Sequence, residues 1–189
     1  MSRGSAALVL ASLLALASAP APASQELWNA LRVGGLVVLI RHASTDPGTG
    51  DPPGFRLEDC ATQRNLSAQG RDEARRIGEA FRRHRVPVGE VLSSQWCRCL
   101  DTARLAFGRA EAWPALNSNF NDTAGPAEVR NREAVARISE RPAAGNRVLV
   151  THNFNIRDLT GEPTAQGEMV IVAPLGAGKF RVLGKLMPF

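Results

Sequence analysis

Two unbroken apolar runs, Leu36-Val37-Val38-Leu39-Ile40 and Val148-Leu149-Val150, each lead into a polar residue followed by histidine, Arg41-His42 and Thr151-His152. A short apolar run without polar alternation is the pattern of a strand buried on both faces, as in a parallel sheet covered by helices. Three histidines occur in the chain, and this reading puts two of them just past the carboxyl ends of such strands, where open α/β sheets bind ligands. Position alone leaves two possibilities: a paired-histidine site with Arg41 beside it, or two unrelated loop histidines.

Helix and strand patterns alternate around these runs. A short helix over 26–32 is broken by Gly34-Gly35. Turn residues between Asp46 and Gly54 exclude regular structure and, next to Arg41-His42, predict a loop covering the site. Ser67 is a candidate N-cap for a helix with Ala74, Ile77 and Phe81 on one face, ended by Pro87. A short strand at 90–92 leads into a helix with a stripe of Trp96, Leu100, Ala103 and Phe107. An extended piece at 112–116, a helix over 126–140 and a strand at 147–151 follow. The tail reads as a hairpin, 168–173 with 179–186 around Pro174, Gly176 and Gly178. This alternation predicts an α/β fold of three layers, α/β/α, with a mostly parallel sheet.

The beginning of the chain has a different character. Arg3 precedes an apolar stretch from Ala6 to Ala17, followed by small residues and prolines, the layout of a secretory signal peptide. Ala21-Pro22-Ala23 fits small-x-small cleavage, so residues 1–23 are expected to be a signal peptide and 24–189 a single periplasmic or secreted domain. The stretch is shorter than the roughly 20 residues that span a bilayer, and no stable membrane insertion is expected. The net charge of +5 comes mostly from arginine, since Lys179 and Lys185 are the only lysines. Those arginines are scattered, with no basic run interleaved with aromatics for stacking bases, so a small anionic substrate is expected and nucleic acid is not.

Neutral imidazole is a competent nucleophile toward phosphorus, and guanidinium matches phosphate oxygens with two parallel hydrogen bonds. Arg41-His42 supplies both. Arg98 falls in the first turn of the helix after Ser93-Ser94, where backbone N–H groups also favour an anion; on its own it reads more simply as a solvated helix-face residue. Four segments, Leu39 to Thr45, Asn65 to Gly70, Val91 to Ala103 and Val148 to Asn153, resemble the signature blocks of the histidine phosphatase superfamily, also called phosphoglycerate mutase-like. They occur in that family's order and span about residues 34–160. The resemblance implies a phosphoglycerate mutase-like fold with His42 as the transiently phosphorylated nucleophile. Arg41, Arg98 and His152 then complete the phosphate pocket, and neither a cofactor nor a metal is needed. It further implies a phosphomonoesterase acting on a small phosphorylated substrate, a sugar phosphate or similar; with the N-terminal signal pattern, the enzyme is expected to be exported, as a monomer or dimer.

The sequence departs from the family pattern at two points. Ala43 stands where glycine usually follows Arg-His. The proton donor, in one branch a glutamate in the loop after the third strand region and in another an aspartate directly after the second histidine, meets Asn117 to Asp122 and Asn153 here. Asp122 is the nearest candidate for the catalytic acid, with Glu168 behind it, though both also read as ordinary solvated carboxylates. A chain without its acid would be a weakly catalytic or non-catalytic phosphoester-binding protein of the same fold.

Among the remaining polar residues, His84, in Arg82-Arg83-His84-Arg85, reads as a surface residue at a helix end. Asp101 and Thr102 are candidates to orient Arg98, and Ser44 and Thr45 to touch the phosphate. Of the three cysteines, Cys97 lies off the apolar stripe of its helix and Cys99 nearer the core. Cys60 is therefore expected to pair with Cys97 in an oxidising compartment, against the alternative of three free thiols.

Overall fold

The computed structural model describes residues 22–120 and 126–189. Residues 1–21 and Asp122 thus lie outside the described residues. Helix α1 (Pro22–Val33) runs through the expected cleavage point, but the residues it packs, Trp28 and Leu31, both follow Ser24. Strand β1 (Val37–Arg41) comes next, then the long loop, helix α2 (Ala68–Arg83), strand β2 (Val88–Ser93) and helix α3 (Cys97–Phe107). Strand β3 (Glu111–Ala112), helix α4 (Pro126–Ser139), strand β4 (Asn146–Thr151), helix α5 (Asn153–Thr160) and the strands β5 (Met169–Gly176) and β6 (Lys179–Leu186) complete the order.

One six-stranded sheet has the order β3-β2-β4-β1-β5-β6. Its first four strands are mutually parallel, and β5 runs antiparallel to both β1 and β6. This is the mostly parallel three-layer sheet expected from the sequence. Alternate residues of each strand point to opposite faces, and both faces are covered. Val38, Ile40, Val148 and Val150 meet Trp28, Leu31, Ile77 and Phe81 of α1 and α2. Val37, Leu39 and Leu149 meet Ala134, Ile138 and Ile156 of α4 and α5. Residues 37–40 and 148–150 are all fully buried, which is why they carry no polar alternation.

Local chemistry fixes the ends of the elements that carry the site. Ser67 accepts a hydrogen bond from the Gly70 backbone N–H as the N-cap of α2. A Cβ on Gly70 would lie 1.7 Å from the Ser44 carbonyl oxygen, so only glycine lets α2 approach the turn after β1 this closely. The tail hairpin forms as expected.

Two expectations need correction, and one helix is additional to them. The buried face of α3 is Cys99, Thr102, Ala103 and Ala106, while Leu100 is only half-buried, because Arg98 and Cys97 turn inward to the long loop and rotate the stripe. The extended piece at 112–116 is a two-residue strand followed by a tight helical turn, Pro114–Leu116, imposed by Pro114. Helix α5 was not anticipated; it is only eight residues long and buries little beyond Asn155 and Ile156, too few positions to show a period.

Candidate active site

In the parallel ladder between β1 and β4, Arg41 lies opposite Thr151, so the next residue of each strand becomes the neighbour of the other. His42 and His152 accordingly stand with ring centroids 5.5 Å apart, and the His42 backbone N–H donates to the Thr151 carbonyl at 3.0 Å. Both rings are buried. Arg98 enters from the first turn of α3, and Thr102, one turn later, donates to the Arg98 carbonyl and accepts from the Ala43 N–H. Thr102 thus couples α3 to the histidine turn, but through the backbone and not through the guanidinium.

His42 Nδ1 lies 2.9 Å from the Ala43 carbonyl oxygen. A carbonyl only accepts, so Nδ1 carries the proton and Nε2 keeps a bare lone pair. Burial, reinforced by the charge of Arg98 and then of Arg41 and Arg64, pushes the His42 pKa down to about 3. The ring is neutral at physiological pH with its nucleophilic nitrogen free. His152 is likewise held well below the ordinary histidine range by burial, then by His42 and the same arginines. Its Nε2 lies 2.9 Å from Ser94 Oγ and 3.5 Å from Cys99 Sγ. Burial pushes the Cys99 thiol up to about 12, so it stays protonated.

His42, His152 and Arg98 line a cavity of about 500 Å³ together with Arg41, Arg64, Asp51 and Trp96. Three guanidiniums therefore face one carboxylate. Arg41 donates from Nη1 to the Thr164 carbonyl at 2.6 Å, and Asn153 Oδ1 holds the Thr164 N–H. Arg64 donates from Nη1 to Thr45 Oγ1 and the Gly48 carbonyl. In all three, Arg41, Arg64 and Arg98, the Nε–H is buried with no hydrogen-bond partner. A buried donor left unpaired costs about 1–3 kcal/mol. Three around one cavity, beside a neutral imidazole with a free nitrogen, mark a site shaped for an oxyanion. Burial, followed by the charge of Arg64 in one case and Arg98 in the other, lowers the pKa of Arg41 and Arg64 from the usual arginine value. A bound anion relieves that repulsion.

The covering loop folds over the site as expected, with Gly48 to Asp51 and Phe55 in the cavity wall. Cys60 and Cys97 form the disulfide, their Cα atoms 5.7 Å apart, and Cys99 remains a free buried thiol. Gln63 Oε1 accepts the Cys97 backbone N–H beside that bond. Other expected contributors stand elsewhere. Ser44 is used structurally, its N–H donating to Glu73 Oε2. Thr45 reaches the site only through Arg64. Asp101 pairs weakly with Arg104 at 3.9 Å on the outer side of α3. Glu168 accepts the Ala165 N–H and faces Lys185, away from the cavity wall. Asn153, where some family members would carry an acid, spends its side-chain oxygen on Thr164. His84 caps α2 and is half-buried because it stacks on Trp28, with ring centroids 4.2 Å apart.

The family model for the histidine phosphatase superfamily, branch 1, matches residues 37–126. That match spans just under half of the chain and marks a similarity to the histidine phosphatase superfamily over residues 37–126. His152 lies beyond the matched segment, supplied by the strand register described above. No curated protein sequence matches the chain. Among solved structures, the protein histidine phosphatase SixA in complex with tungstate is similar at 17% identity and a TM-score of 0.57, covering 81% of this chain and 97% of that one. The α-ribazole phosphatase of Shigella flexneri is similar at 18% identity and 0.53, with 78% and 94% covered. A phosphoserine phosphatase of Entamoeba histolytica, bound to phosphoserine, is similar at 12% identity and 0.53, with 81% and 97% covered. These likenesses carry the fold.

Arg64 and Asp51 are residues of the candidate site that sequence reasoning missed. Arg64 directly precedes the Asn65-Leu66-Ser67 block, and Asp51 lies inside a loop with no periodicity. The only available signal was their nearness in sequence to segments already assigned to the site. Among the described residues no group of three or more His, Cys, Asp or Glu is placed to hold a metal ion, and no helix is long and apolar enough to cross a membrane.

Proposed function

We propose that the protein is an exported phosphomonoesterase that hydrolyses a small phosphate ester, such as a sugar phosphate, through a phosphohistidine at His42. The observation that carries this reading is His42 itself, buried, neutral and with Nε2 free, beside three arginine Nε–H groups that lack partners. His42 Nε2 attacks phosphorus, the bond to the leaving oxygen breaks, and a proton passes to the departing alcohol. Water then attacks the phosphohistidine, releasing inorganic phosphate and returning the electron pair to Nε2. Arg41, Arg98 and His152 offset charge on the equatorial oxygens, the main requirement of phosphoryl transfer.

Asp122 is the proposed proton donor; it follows by two positions Phe120, which lines the cavity. Phe55, Phe120 and Phe154 supply apolar surface in the same cavity, suited to the C–H face of a sugar ring. Export is supported by the apolar segment 6–17 and the small residues after it, and N-terminal sequencing of the exported protein should find Ser24. The decisive test of the chemistry is acid quenching with labelled aryl phosphate. An acid-labile, base-stable label on His42, lost with turnover in His42→Ala, is expected. Label on serine or aspartate, or no hydrolysis at all, sinks the proposal.

A further inference from the structure

Asp51 sits inside a pocket shaped for anions. Its carboxylate accepts Arg98 Nη1 at 2.7 Å and Arg98 Nη2 at 3.1 Å, a two-pronged pair in which both side chains are buried. The Arg64 backbone N–H donates to Oδ1 at 3.0 Å and the Trp96 indole N–H to Oδ2 at 2.9 Å. Four donors saturate this carboxylate. Burial alone would raise its pKa, but the Arg98 bonds and charge outweigh burial and hold it below the ordinary aspartate value. It is ionised, and so is not a proton donor in this arrangement.

The bonds also determine what is left of Arg98. A guanidinium has five N–H groups. The end-on pair goes to Asp51, and Nη1 also donates to the Arg64 carbonyl at 3.3 Å. Nε and the adjoining Nη2 hydrogen remain, and they form the side-on edge. That edge is a second fork of the kind that grips two phosphate oxygens. Its Nε–H is buried and unpartnered on a residue that lines the cavity with His42. Asp51 therefore engages the prongs that phosphate does not need and locks the rotation of the group that phosphate does.

We infer that Asp51 is a positioning residue: it fixes Arg98 so that the side-on edge of the guanidinium, Nε and Nη2, is presented to the phosphoryl group. This rests on the phosphate pocket of the proposed function and assigns the covering loop a part in building it. A competitor for the same site would behave oppositely, since its removal would free Arg98 for phosphate.

The test is a double-mutant cycle on the affinity for inorganic phosphate, measured by titration calorimetry on Asp51→Asn, Arg98→Ala and the double variant. An asparagine side chain keeps the size of the aspartate but sets an amide N–H against the guanidinium. Asp51→Asn should weaken phosphate binding about tenfold or more, yet by under about twofold when Arg98 is already alanine, because coupled residues are not additive. Equal losses in both backgrounds overturn the inference, and so does tighter binding by Asp51→Asn. Arg98→Lys gives an independent check that leaves Asp51 intact. One ammonium lacks the second fork and cannot serve Asp51 and phosphate as Arg98 does, so this variant should bind almost as poorly as Arg98→Ala. Near wild-type affinity in Arg98→Lys would mean that charge alone suffices, and the inference would fall. None of these results bears on whether His42 becomes phosphorylated, which the labelling experiment decides separately.

Discussion

Replacing both Cys60 and Cys97 with alanine should loosen the covering loop and cost global stability together. The bond closes a sequence separation of 37 residues, for which loop-closure entropy of the unfolded chain gives about 4 kcal/mol. Packing adds to this, because Cys97 is only 3% exposed. The native loop keeps other tethers, the Cys97 N–H to Gln63 and the Asp51–Arg98 pair, so the variant should still fold. With a urea dependence of about 2 kcal/mol per molar, the unfolding midpoint should fall by about 2 M relative to the oxidised wild type. Circular dichroism during a urea titration reads this directly. A fall below about 0.5 M would show that the cross-link constrains little in the unfolded chain, contrary to the loop-closure argument. Phosphate affinity, measured on the same samples in dilute urea, should also drop, because the loop that brings Asp51 to Arg98 loses its covalent anchor. An unchanged affinity would refute the claim that this bond preorganises the site.

Gly70→Ala should cost about 1–3 kcal/mol and reduce turnover, since the new Cβ would push α2 or the turn that carries His42; a wild-type melting temperature would contradict this. For pH, the folded His42 pKa of about 3 lies below its ordinary 6.5, so between those values the unfolded chain takes up a proton that native His42 refuses. Stability should therefore fall as pH drops from about 6.5 toward 3, with His152 acting in the same direction. His42→Gln should flatten the dependence in urea titrations at pH 7 and pH 5, and equal slopes would count against the assignment. Asp122→Asn should slow alkyl phosphates by about 10²–10⁴-fold and aryl phosphates far less, because only a poor leaving group needs the proton. Equal loss on both substrates would point to structural damage instead.

The parts of the molecule that were legible in the sequence are those set by local pattern. Strands β1 and β4 show as apolar runs because both faces are buried, and their shared polarity then places His42 beside His152. Ser67 marks the start of α2 because an N-cap is a local hydrogen bond, and the choice of Cys97 over Cys99 followed from helical phase. Asp51 and Arg64 were not legible, since their roles arise from a loop folding back onto α3 through contacts far apart in sequence. Leu100 was misassigned for a related reason: the inward turn of Arg98 toward Asp51 sets the rotation of α3, and hydrophobicity alone does not encode it. Asn153 matched a family position, but its amide is committed to Thr164.

The placement of β4 between β2 and β1 has a bearing on how the molecule becomes active. Helix α2, strand β2, helix α3, strand β3 and helix α4 all separate the two histidines along the chain, yet the rings meet only because β4 inserts into the middle of the sheet. A polypeptide emerging amino end first cannot bring the two histidines together until that central strand has been made and has slotted home. Such long-range strand insertion is a slow event in folding. On the proposed function, recovery of activity is accordingly a sensitive clock for completion of the sheet, and any truncated product that stops short of β4 lacks one of the two histidines, however much of the rest it has built.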